Sequence, residues 1–234
     1  MKLARRLPPT ARIAWRRTYR IIPSRYPPIA LFERIADPAD GEALLEVESV
    51  TNERIRDEVG EVCLVPIEDR VTGPGASWVM GPFTHVGHPS RFSDGSYGIY
   101  YTADRREGAV AESAHHLGRF LAATREAACD VAMRVLVAGI DALLHDLRSP
   151  RRFRAVHDPD DYTAGQALGR SLRAAGAHGV VYRSVRLPGA QCVAAFRPRV
   201  VRSLPRGDVH LRYHWDGARI ARYFDFAAER WVAL

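Results

Sequence analysis

Cysteine is scarce in this sequence. Cys63, Cys129 and Cys192 lie far apart and form no CxxC pair. That excludes an even disulfide framework and fits a reducing, cytoplasmic compartment. Long apolar runs are missing too. No stretch approaches the roughly 18 consecutive apolar residues of a membrane span, so no membrane association is expected. There is no G-x-S-x-G elbow and no cysteine beside a histidine, which removes the usual signals of nucleophilic hydrolysis. P-loop and dinucleotide-binding glycine fingerprints are absent, so no standard phosphate cradle is visible. Internal repeats and low-complexity blocks are also lacking.

Acidic residues are absent from positions 1–20, MKLARRLPPTARIAWRRTYR, which hold seven basic ones. The rest of the chain balances 27 basic against 27 acidic residues, so the net charge of +7 resides in this start. A nucleic-acid binder usually carries its basic face on the folded body. Residues 1–18 therefore read as a basic N-terminal arm, packed along the domain or solvated. Residues 19–234 read as the folded domain, and no direct nucleic-acid binding is expected.

What is present is an ordinary globular mixture, 47% hydrophobic and 26% charged over 234 residues. Residues 37–59 read as helix, with Asp40 as cap and Leu44, Val47, Thr51 and Ile55 at helical spacing. ASWVMGPF and YGIYYTA are strand candidates. The clearest helix spans 105–126, where Val110, Ala114, Leu117 and Leu121 make one stripe. Glu112 lies off that stripe, on the flank of His116 and Arg119. DVAMRVLVAGI alternates with period two, whereas DALLHDL is ambiguous. DDYTAGQALGRSLRAAGAHG reads as a capped helix ending at a glycine. GVVYRSV and AQCVAAFRPRVV read as strands, and Asp216-Gly217 between alternating runs signals a hairpin. Helices mixed with short strands joined by tight turns indicate an α+β fold with a mostly antiparallel sheet.

Glu112-Ser113-Ala114-His115 has the Glu-x-x-His spacing of di-iron helices, but no second copy exists. His85 and His88 lack an evident third ligand, so no metal is expected. Arg91, Tyr101, Glu112 and Ser184 remain. Taken singly, each has an ordinary reading as a surface charge, a strand aromatic, a solvated helix residue and a strand polar position.

Their order and spacing resemble the RES-domain family, named for an arginine, a glutamate and a serine. SRFSDG, with Arg91, is similar to the family's arginine step, although Ser90 and Phe92 stand where glycine and tryptophan are usual. Tyr101 in GIYYTA stands eleven positions before Glu112 in GAVAES, as in the family. HGVVYRSVRLPG, with Ser184, resembles its serine strand. TYRII resembles its first arginine strand, with Arg20 and Arg25 both candidates. In DDYTAGQALG, Thr163 resembles a pocket-lining hydroxyl residue.

The resemblance implies an ADP-ribosyltransferase-like fold, with NAD⁺ as substrate. It implies a toxin of a type II toxin–antitoxin pair that cleaves the nicotinamide–ribose bond. ADP-ribose then passes to a protein acceptor, or NAD⁺ is degraded. Glu112, Arg91 and Tyr101 would be catalytic. Arg20, Arg25, Arg91, Tyr101, Ser184 and Thr163 would contact NAD⁺. The implied partner is an Xre-type antitoxin with a DNA-binding domain. The alternative is a non-catalytic RES-like module that binds a nucleotide or partner. A metal-dependent hydrolase using Glu112, His115 and His85 is a third reading.

Overall fold

The computed structural model describes residues 7–25 and 60–234. The helix expected over 37–59 lies outside the described residues.

The chain starts in the sheet. β1 (Thr10–Pro23) pairs antiparallel with β3 (Cys129–Asp146) from Thr10↔His145 to Pro23↔Met133. Residues 10–18 are thus sheet, and the arm-to-domain boundary expected at 18/19 falls inside β1. Its register shifts between Trp15 and Thr18. Ile13 and Thr18 are both buried, so the period-two pattern breaks at the bulge. Arg16 and Arg17 are exposed between them, and Arg12 is exposed just before Ile13.

β2 (Tyr100–Ala103), β4 (Gly179–Arg183) and β5 (Gln191–Ala195) are short. β6 (Val201–Trp215), β7 (Ile220–Asp225) and β8 (Arg230–Ala233) complete the sheet. Its order is β1-β2-β5-β4-β3-β6-β7-β8, and β1 also pairs with β3. The first five strands of that order therefore close into a ring, and β6 to β8 extend from β3. Every pairing is antiparallel except β3 with β4. The fold is α+β with a mostly antiparallel sheet, as the element order implied. The ambiguous DALLHDL segment continues β3 through Asp146. Asp216 closes the β6–β7 turn, its carboxylate accepting the Ala218 and Arg219 N–H groups at 2.8 Å each.

Three helices lie among the described residues: α1 (Ala76–Thr84), α2 (Arg106–Ala123) and α3 (Thr163–Ala174). α1 corrects a reading, because ASWVMGPF was expected to be a strand. Its Trp, Val and Phe favour strands. Ala76, Val79, Met80 and Phe83 are instead buried at helical spacing, against Ile13, Tyr100, Ile140 and Val193. The other core lies under α2, where Val110, Ala114 and Leu121 meet Met133, Tyr213 and Trp215. Each such Val or Leu, fully buried, contributes about 1.5–3 kcal/mol. Strands β4 and β5 feed both cores, Tyr182 and Cys192 into one, Val181 and Val193 into the other. None of the described helices is long and apolar enough to cross a membrane.

Candidate active site

The SRFSDGSYG segment is a turn stapled to itself. Ser93 Oγ donates to the Tyr97 carbonyl at 2.6 Å and accepts the Gly95 N–H at 3.0 Å. Gly95 adopts φ +101°, which glycine takes without a Cβ penalty. Tyr97 Oη donates to the Phe92 carbonyl. Helix α3 backs onto the turn through Gly165 and Gly169. A Cβ at either would overlap the carbonyl oxygen of Arg91 or Phe92. Arg91 is thereby fixed at 4% exposure, on a loop that would otherwise leave an arginine in solvent.

β2 brings Tyr101 alongside that turn. Its hydroxyl accepts the Phe92 N–H at 3.1 Å and sits 2.9 Å from Ser90 Oγ. Arg20, on β1, donates from Nη1 to the Tyr101 carbonyl at 3.1 Å, and its guanidinium lies 4.9 Å from the Tyr100 ring centre. Glu112 projects from the middle of α2. One cavity of about 350 Å³ joins them, with Arg20, Arg91, Tyr101 and Glu112 all in its wall. That volume lies within the ~300–1,000 Å³ usual for small-molecule sites.

Ser184, just past β4, does not line this cavity but reaches it through Glu112. Its hydroxyl donates to Glu112 Oε1 at 2.6 Å. Ser184 Oγ in turn accepts the Arg186 and Leu187 N–H groups, each at 3.1 Å. The hydroxyl hydrogen and its acceptor sites are thus committed within the protein. Thr163 and Arg25 are exposed and do not line the cavity. Of the two candidate first-strand arginines, the cavity holds Arg20.

The sequence reading missed Tyr162, next to Thr163. Its ring centre lies 4.5 Å from the Arg91 guanidinium, 5.9 Å from Arg119 and 6.5 Å from the His116 ring. The aromatic in DDYTAG was the available signal, and the hydroxyl residue after it drew the attention. Two carbonyls, Val156 at 3.0 Å and Asp158 at 2.6 Å, accept from Arg91 Nη1. No side-chain pattern announces backbone acceptors. His116, also in the wall, was read only as a flank residue.

Among the described residues, Glu112 is the only carboxylate in a wall that holds Arg20 and Arg91. Burial lowers the Arg20 pKa, partly offset by Tyr100 and Tyr101. Burial raises the Tyr101 pKa, so its phenol stays neutral. Packing against the wall, then the charges of Arg186, Arg91 and Arg119, push His116 down to about 4. His115 is likewise pushed to about 4, by burial and then Arg186. His115 lines a separate cavity on the other flank of α2, so Glu112 and His115 do not converge. Among the described residues no group of three or more His, Cys, Asp or Glu side chains is arranged to hold a metal ion.

The wall offers a ligand two guanidinium groups, one carboxylate and a neutral phenol. Among the described residues, only Nη1 of the Arg91 guanidinium has a hydrogen-bond partner, which leaves Nε and Nη2 for a ligand. The carboxylate of Glu112 is held in one orientation by Ser184.

A relative from Sinorhizobium fredii (strain NBRC 101917 / NGR234), the uncharacterized protein y4oC, is 34% identical over 212 residues, covering 89% of this chain and 86% of the relative. The solved M. tuberculosis MbcT–MbcA toxin–antitoxin complex contains a chain similar at 16% identity with a TM-score of 0.40, over 89% of this chain and 88% of that one. The RES domain profile matches residues 67–216, a span that contains Arg91, Tyr101, Glu112 and Ser184. This chain belongs to the RES domain family.

Proposed function

We propose that this chain is the toxin of a type II toxin–antitoxin pair and that it uses NAD⁺ as substrate. The observation that carries the reading is the convergence of Arg20, Arg91, Tyr101 and Glu112, from four separate segments, on one cavity. Membership of the RES family supports it.

The chemistry follows from those groups. Cleaving the nicotinamide–ribose bond sends its electron pair to nicotinamide, which leaves neutral. No strong general acid is therefore needed. Positive charge develops on the ribose C1′ and ring oxygen, as in glycoside cleavage. The Glu112 carboxylate stabilises that charge and binds a ribose hydroxyl. Arg91 clamps the pyrophosphate with its free Nε and Nη2 edge, and Arg20 adds a second cation. Tyr101, pinned through its hydroxyl, offers a ring of fixed orientation for the nicotinamide. Ser184 acts through Glu112 rather than on the ribose or amide directly, because its hydrogen is already donated.

An acceptor then attacks C1′ and loses a proton. A protein nucleophile makes the chain an ADP-ribosyltransferase, and water or phosphate makes it an NAD⁺-degrading enzyme. Either activity arrests growth in the cytoplasm until an antitoxin with a DNA-binding domain masks the cavity.

Expression of the wild type beside Arg91→Ala, with cellular NAD⁺ measured and ADP-ribosylated proteins probed, tests this. Growth arrest by the wild type alone is expected. Normal growth with intact NAD⁺ and no labelled protein would sink the toxin reading.

A further inference from the structure

Arg91 and Glu112 belong to different elements, and no direct bond joins them. A connected set of hydrogen bonds does. Arg91 Nη1 donates to the Val156 and Asp158 carbonyls. The following turn is tight, since Asp158 Oδ1 accepts the Asp160 and Asp161 N–H groups at 2.9 and 2.8 Å. Pro159, inside that turn, offers its carbonyl to Arg186 Nη2. Arg186 in turn donates its backbone N–H to Ser184 Oγ, and Ser184 donates to Glu112. The Arg186 side chain is 17% exposed and has one carboxylate nearby, Asp160 Oδ1 at 3.7 Å, itself 84% exposed. Its main fixed partner is therefore the Pro159 carbonyl.

We infer that Arg186 is a positioning residue that staples the 156–162 segment, which aims Arg91, to the Ser184 unit, which aims Glu112. It touches neither proposed ligand group. It makes the pyrophosphate clamp and the ribose carboxylate hold one fixed separation. Such coupling has physical content only if both ends respond to one change. The inference rests on the functional reading above, and the test separates the two.

The experiment uses the full chain, with Arg186→Ala and Arg186→Lys. Three quantities are measured: ADP-ribose affinity by calorimetry, kcat and KM for NAD⁺, and amide hydrogen exchange. Arg186→Ala is expected to weaken ADP-ribose binding and lower kcat, each about tenfold, although Arg91 and Glu112 are intact. Arg186→Lys keeps a donor for the Pro159 carbonyl and is expected to recover most of both. Exchange in segments 156–162 and 184–187 is expected to accelerate together in the alanine variant. A loss of melting temperature with affinity and kcat within twofold of wild type would overturn the inference and reduce Arg186 to a structural role. Acceleration in one segment alone would overturn it as well. A wild type that binds neither NAD⁺ nor ADP-ribose would refute the functional reading instead. The joint exchange response still decides whether the staple exists.

Discussion

Removing one oxygen atom, by Ser184→Ala, separates positioning from binding in this cavity. The hydroxyl makes a 2.6 Å bond to Glu112 Oε1 and accepts two backbone N–H groups. A hydrogen bond to a charged group is worth about 1.5–3 kcal/mol. If that amount is realised only as charge develops on the ribose, kcat falls roughly 10- to 150-fold. KM should move less than threefold, because Arg91 and Arg20 keep their partners. Stability also suffers. Two N–H groups at a site only 8% exposed lose their acceptor, at about 1–3 kcal/mol each. For a chain of this size that is roughly 4–24 °C in Tm, so turnover is measured well below the transition. Nicotinamide release, followed by chromatography, gives kcat and KM. A Ser184→Ala/Glu112→Ala double variant should be no slower than Glu112→Ala alone, since Ser184 acts through Glu112. Turnover by Ser184→Ala within twofold of wild type, or a further loss in the double variant, would refute the reasoning.

Gly165→Ala forces a methyl against the Arg91 carbonyl oxygen, so it should cost about 1–3 kcal/mol of stability and raise KM by displacing the arginine turn. A calorimetric titration with ADP-ribose unchanged from wild type would contradict this. His115 and His116 bind protons less tightly in the folded chain, at about 4, than at their ordinary 6.5. The unfolded chain therefore takes up protons first on acidification. Stability from these groups is complete above about pH 6.5 and lost as pH falls toward 4. Tm should drop between pH 7 and pH 5, less so in a His115→Gln/His116→Gln variant, and equal slopes for the two proteins would exclude the histidines as the cause. Asp69, 3% exposed, pairs with Arg199 at 2.5 Å and Arg197 at 3.3 Å and lies away from the Glu112 cavity. Asp69→Ala should lower stability by about 1.5–3 kcal/mol and leave kcat within twofold when assayed folded. A selective loss of kcat would contradict that separation.

Sequence and structure agree where a local pattern determines the element. α2 was legible because its apolar stripe is unbroken, and the β6–β7 hairpin because Asp216-Gly217 supplies both the turn carboxylate and the positive-φ glycine. β1 was legible only at TYRII, through the family resemblance, since a bulge resets its alternation and arginines fill its exposed positions. α1 was misread because strand-favouring residues are held helical by tertiary burial around Met80 and Phe83. The same division holds in the cavity. Arg91, Tyr101 and Glu112 could be named from spacing and family resemblance. Ser184 was named the same way, but as an NAD⁺ contact and not as the partner of Glu112, and the other supports were not named. Ser184 meets Glu112 across 72 residues of sequence, and Arg91 leans on backbone carbonyls and on the Tyr162 ring.

In the proposed function, Glu112 stabilises cleavage of the nicotinamide–ribose bond of NAD⁺. The most direct measurement is nicotinamide release from NAD⁺ by purified wild type and by Glu112→Ala, with both shown to be folded and the antitoxin absent. Water, phosphate and a protein substrate are each supplied in turn as acceptor. The expected result is release by the wild type and a loss of at least ~100-fold in the variant, the scale for removing one preorganised electrostatic group. Equal release by the two proteins, or none by the wild type with any acceptor, would contradict the account.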